Sequence, residues 1–109
     1  MEIGERVSTI RNADVDTVYT FGLGVYEGDF IPDPSLRGIA GLLGEMKKSN
    51  PRIKLDSGEV VYGCECYWAP EAYLLNEFGT RRFVQVSIVE YRVSLPEPQS
   101  NLRSSRSEL

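Results

Sequence analysis

The sequence predicts a mainly β domain, a small barrel of about five bent strands with one or two short helical insertions. Three observations predict it. Apolar and polar residues alternate along Arg52–Leu55, the period of a strand whose side chains point to opposite faces in turn, and the same period puts Val60, Tyr62, Cys64, Cys66 and Trp68 on one face of the following arm. The runs Thr17–Glu27 and Arg81–Val93 are rich in β-branched and aromatic residues, which suit a pleated, half-buried surface. Glycines at 22, 24 and 58 punctuate these runs where a bulge, a bend or a tight turn is needed. A sheet this small buries its apolar face best by curling on itself. A two-layer α+β sandwich is the alternative.

Taken in chain order, Gly4–Ile10 reads as the first strand, with Val7 inward and Ile10 the next inward candidate. Asp14 and Asp16 mark a loop. The strand that starts at Thr17 is interrupted by Gly22 and Gly24, so a bulge or sharp bend is expected near its middle. Gly28-Asp29 begins a turn, and Pro32 and Pro34 exclude regular pairing beyond it. Leu36, Ile39, Leu43 and Met46 follow helical spacing, which predicts an amphipathic helix within 34–49. Gly38, Gly41 and Gly44 recur every third residue of that segment and each costs about 1 kcal/mol in a helix. They let the backbone lie flat against the sheet, or they make a mobile flap.

Asn50–Trp68 reads as a hairpin. Ile53 and Leu55 share one face of its first arm, and Gly58 supplies the left-handed backbone for the Asp56–Glu59 turn. The second arm places Val60, Tyr62, Cys64, Cys66 and Trp68 on one face, and Val61, Gly63, Glu65 and Tyr67 on the other. Ala69–Phe78 is a short helix with Pro70 at its first position, Glu71 at the positive end of its dipole and Gly79 as its stop. Arg81–Val93 is the last strand, its change of parity assigned to a bulge at 87–89. Residues 1–93 form the domain. Residues 94–109, rich in Ser, Pro, Arg and Glu, form a disordered tail.

Composition narrows the functions. A chain of 109 residues that is 41% apolar, with one Trp, six Tyr and four Phe, builds one modest core. It has no apolar run of about 20 residues, so no membrane-spanning helix is expected. Met1–Thr9 is charged and lacks an apolar segment, which leaves a cytoplasmic location as the expectation. With no histidine there is no Ser- or Cys-based triad, and two cysteines complete a tetrahedral zinc site only with carboxylates or with the cysteines of a second subunit. Cys64 and Cys66 read as small apolar side chains. No catalytic residue, cofactor or metal is assigned, and the chain is read as not an enzyme.

Two binding surfaces remain. Tyr67, Glu65 on the same face, and Trp68 if the strand ends before it, are candidate contacts for a protein partner. Lys47, Lys48, Arg52 and Lys54 form the only basic cluster, a candidate nucleic-acid contact to which Arg81 and Arg82 add if adjacent. The net charge of −4, with seven acids and two arginines before residue 34, favours the protein partner. The exposed strand edges of a half-open barrel make a dimer a further expectation.

The Gly4-Glu5-Arg6-Val7 start and the Thr20–Gly28 run resemble the opening strand and the Gly-bent second strand of Src-homology-3-like barrels. The Asn50–Trp68 block, N-P-x-I-x-L-D-x-G-x-V-V-x-G-C-E-C-x-W, resembles a family of small bacterial or phage proteins of uncharacterised role. The second resemblance implies no function; the soluble interaction or accessory module is read from the outward aromatic side chains and the acidic first third. A nucleic-acid or ribosome-associated module of the KOW kind is the runner-up.

Overall fold

A computed structural model describes residues 1–96; the tail expected at 94–109 lies almost wholly outside them. The chain is mainly β. Six strands form one sheet: β1 (Arg6–Ala13), β2 (Thr17–Phe30), β3 (Asn50–Leu55), β4 (Val60–Tyr62), β5 (Tyr67–Pro70) and β6 (Arg82–Gln85). Among the described residues three short helices accompany it: α1 (Ile39–Glu45), α2 (Glu71–Phe78) and α3 (Ile88–Val93), with a single 3₁₀ turn at Gly63–Glu65. The sheet order is β4-β3-β2-β1-β5, antiparallel throughout, while β6 pairs parallel to β2. The sheet is not closed into a barrel.

β2 organises the sheet because it is long and bent. Asp14 Oδ1 accepts from the Asp16 and Thr17 backbone amides and turns the chain from β1 into β2. β1 then occupies one edge of β2, from Arg6 opposite Val25 to Ala13 opposite Val18. The register slips around Thr9–Asn12, and Gly22 carries φ 114° beside the slip. This is the expected bulge, at a backbone angle that glycine alone adopts without strain. The other edge of β2 is shared, by β6 along Thr17–Thr20 and by β3 along Gly24–Phe30. Gly28-Asp29 is not the expected turn: both lie within β2, where Gly28 at φ 96° absorbs a second register shift.

The hairpin keeps its turn and changes its parity. Leu55 N donates to Glu59 O, leaving a three-residue loop with Gly58 at φ 98°. The resulting register sets Ile53 opposite Val61. Cross-strand partners share a face, so Val61 is the inward residue of β4 and is fully buried with Ile53. Val60 lies opposite Lys54 and is only partly covered.

One core contains Val7, Phe21, Ile53, Leu55, Val61 and Ile88. The other, Ile10, Val18 and Leu74, is closed by α2. The strand expected at Arg81–Val93 ends at Gln85, and the parity change is a helix start rather than a bulge. Ser87 Oγ accepts from Glu90 N as the N-cap of α3. Ile88 drops into the first core and Tyr91 packs edge-on to Phe21, ring centroids 5.6 Å apart.

Candidate functional site

Glu65 does not face outward. After Tyr62 the arm coils into the 3₁₀ turn, so the alternation that placed Glu65 beside Tyr67 stops at Gly63. Glu65 Oε1 accepts from Tyr62 N at 2.9 Å and from Arg92 Nη2 at 2.7 Å, while Oε2 accepts from Arg92 Nε at 2.8 Å. Arg92 Nη2 also donates to Val60 O at 2.8 Å. The Glu65 side chain is 3% exposed and that of Arg92 is 15% exposed. This buried, two-pronged pair fastens α3 to the end of β4, an anchoring role.

Tyr67 is the most exposed aromatic of the expected surface, at 72%. Trp68, its neighbour on β5, points to the opposite face by strand alternation. It stacks on Tyr26 with centroids 5.5 Å apart and packs on the first core. Glu65, Tyr67 and Trp68 therefore do not form one groove.

The cysteines leave the strand with Glu65. Cys64 N donates to Asn50 Oδ1 at 2.7 Å, and both thiols are free. Burial, reinforced by the Glu65 carboxylate, pushes the Cys64 thiol up to about 11 and the Cys66 thiol up to about 12. Both are thiols at neutral pH, the form that neither attacks nor ligates a metal. Among the described residues no cluster of three metal-ligating side chains occurs.

The basic cluster is divided. Arg52 Nε bonds Glu27 Oε1 at 2.9 Å, and its guanidinium lies 3.5 Å from the centroid of the Phe30 ring. Lys47, Lys48 and Lys54 are exposed. Arg81 and Arg82 are not adjacent to them. Arg82 pairs with Thr17 and Lys54 with Val25, eight residues apart on β2, or about 26 Å at ~3.3 Å per residue.

A surface absent from the expectations lies at the far end of β2. Phe30 pairs with Asn50, so residues 31–49 form one excursion closed at its neck. Within it α1 packs in an unexpected orientation. Its buried residues are Ala40, Gly41 and Gly44. A Cβ at Gly41 would overlap the carbonyl oxygen of Leu36, and one at Gly44 that of Pro32. The glycines thus let the helix lie close against the preceding 32–36 segment, rather than against the sheet as one expectation had it. Three large side chains consequently face out, Ile39 at 52% exposed, Leu42 at 37% and Met46 at 53%, while Leu43 is half-buried. These three fall at i, i+3 and i+7, one continuous stripe. Ile31 and Phe30 at the neck are also exposed.

The helix ends in a Schellman turn, with Lys48 N donating to Leu43 O and Lys47 N to Gly44 O. Lys47 holds the left-handed position at φ 57°, where glycine is usual. The sequence signal for this surface was the glycine period itself: small residues at 38, 41 and 44 define one face and leave the apolar residues on another.

Comparison with protein-family models, with curated proteins and with solved structures returns no match. Among the described residues no helix is long and apolar enough to cross a membrane.

Proposed function

We propose that the chain is a non-catalytic protein-interaction module that docks through the 31–49 excursion. The observation that carries the reading is the inside-out α1, whose glycine face is buried while Ile39, Leu42 and Met46 are exposed. A helix that buries glycine and shows a continuous apolar stripe to water forgoes about 1 kcal/mol for each large side chain left half exposed. A partner with an apolar groove recovers that term, in the helix-in-groove manner. The Arg52–Phe30–Glu27 stack at the neck gives the contact a fixed polar border. The proposed kinship with Src-homology-3-like barrels rests on the Gly4–Val7 start and the Gly-bent Thr20–Gly28 run.

The test is capture from native lysate, with nuclease, using the parent chain and the Ile39→Gln/Met46→Gln double variant. Both positions are exposed, so the variant keeps its thermal midpoint. The parent retains a protein that the variant loses, and the purified pair binds with affinity insensitive to salt. Equal retention by parent and variant overturns the reading. Retention that collapses with nuclease, or that falls steeply with salt, also overturns it and returns the surface to Lys47, Lys48 and Lys54.

A further inference from the structure

The shared edge of β2 leaves a gap. Among the described residues, no strand pairs with Phe21, Gly22 or Leu23 on this edge, although β1 pairs with Gly22 and Leu23 on the other. Single groups cover the carbonyls there: Gln85 Nε2 donates to Phe21 O at 2.7 Å and Asp56 N to Leu23 O at 2.9 Å. Above this gap, between α3 and the β3–β4 turn, lies a cleft of about 660 Å³. That volume falls within the ~300–1,000 Å³ of ordinary ligand sites. Phe21, Leu23, Leu55 and Tyr91 contribute the apolar lining, with Glu59 on the hairpin side and Glu90 on the helix side.

We propose that this cleft binds an arginine side chain presented by an extended segment of a partner protein, at a surface separate from α1. Charge complementarity argues for the cation. Neither Glu59 nor Glu90 forms an ion pair among the described residues, and the contact of Glu59 to Ser57 Oγ is long, 3.4 Å. Among the described residues the one cation in the lining, Arg11, is already held: its Nε donates to Asn12 Oδ1 at 2.7 Å and its guanidinium sits over the Tyr19 ring.

The remaining lining argues for arginine over lysine. Its alkyl stem covers the Phe21–Leu55 floor. Its planar head stacks on an aromatic ring such as Tyr91 and accommodates carboxylates from two directions better than a strongly hydrated ammonium does. The volume exceeds one side chain, which leaves room for flanking backbone and favours a peptide over a free small cation.

The experiment is an NMR titration of the full chain with acetyl-Gly-Gly-Arg-Gly-Gly-amide. Parallel titrations use the lysine peptide, spermidine and inorganic phosphate. The arginine peptide shifts resonances of Leu23, Glu59 and Tyr91 saturably and binds several-fold tighter than the lysine peptide. Glu59→Gln and Glu90→Gln each weaken it about tenfold, the loss of one charge-assisted contact. Glu90 is exposed, and Glu59 is half-buried with no ion pair to lose among the described residues, so the variants stay folded. No saturation at millimolar peptide, unchanged affinity in the double variant, or equal binding of spermidine or phosphate would each overturn the proposal.

Discussion

Replacing Arg92 by Met tests whether the Glu65–Arg92 pair anchors α3. The substitution keeps the stem volume and deletes three donated hydrogen bonds, two to the Glu65 carboxylate and one to Val60 O. What remains is a carboxylate 3% exposed whose one surviving donor is Tyr62 N. Breaking a buried pair by removing one partner costs about 3–5 kcal/mol, because the other charge stays desolvated. Arg92 retains some contact with water, so the lower end, about 3 kcal/mol, is expected. Small domains have about 5–15 kcal/mol in total, and the thermal midpoint should fall by roughly 12 °C or more.

Urea unfolding followed by circular dichroism, with unchanged m, is the assay. Glu65→Gln alone should cost less, because the amide oxygen still accepts from Tyr62 N and no unpaired anion is left. In the double variant the losses should fall short of their sum by about 1–3 kcal/mol. A cost for Arg92→Met below about 1 kcal/mol, or strict additivity, would refute the anchor, since that is the behaviour of a solvated surface pair.

Four further outcomes are expected. Gly41→Ala should destabilise by about 1–3 kcal/mol in urea despite alanine's higher helix propensity, because its Cβ meets the Leu36 carbonyl. Lys47→Gly should stabilise by about 1 kcal/mol in the same assay, by relieving the left-handed residue at φ 57°. With thiols raised to about 11 and 12, only about one Cys64 in a thousand is thiolate at pH 8; alkylation of the native chain should therefore be slow, Cys66 slower than Cys64, and both fast in denaturant. Asp56, held below the ordinary carboxyl value by Arg6, and Asp33, held below it by the Ser35 amide and hydroxyl, stabilise the fold when ionised. That contribution is complete above the unfolded value near ~3.9 and is lost as pH falls through the depressed folded values, so Asp56→Asn should flatten the acid limb of a stability–pH profile.

What the sequence determined by itself was local. Period-two alternation marked the first hairpin arm, and Gly22 and Gly58 fell where their positive φ was needed. The Ser87-Ile88-Val89-Glu90 capping pattern was also present to be read as a helix start; its apolar β-branched neighbours concealed it.

Tertiary structure decided the rest, because the deciding partners are far apart in the chain. Glu65 turned inward because Arg92, twenty-seven residues later, supplies the countercharge that makes its burial tolerable. Val61, rather than Val60, is buried with Ile53 because the length of the loop sets hairpin parity. The apolar side of α1 faces out because only glycine allows the approach to the carbonyls of Pro32 and Leu36, so close backbone packing outweighed the burial of Ile39 and Met46.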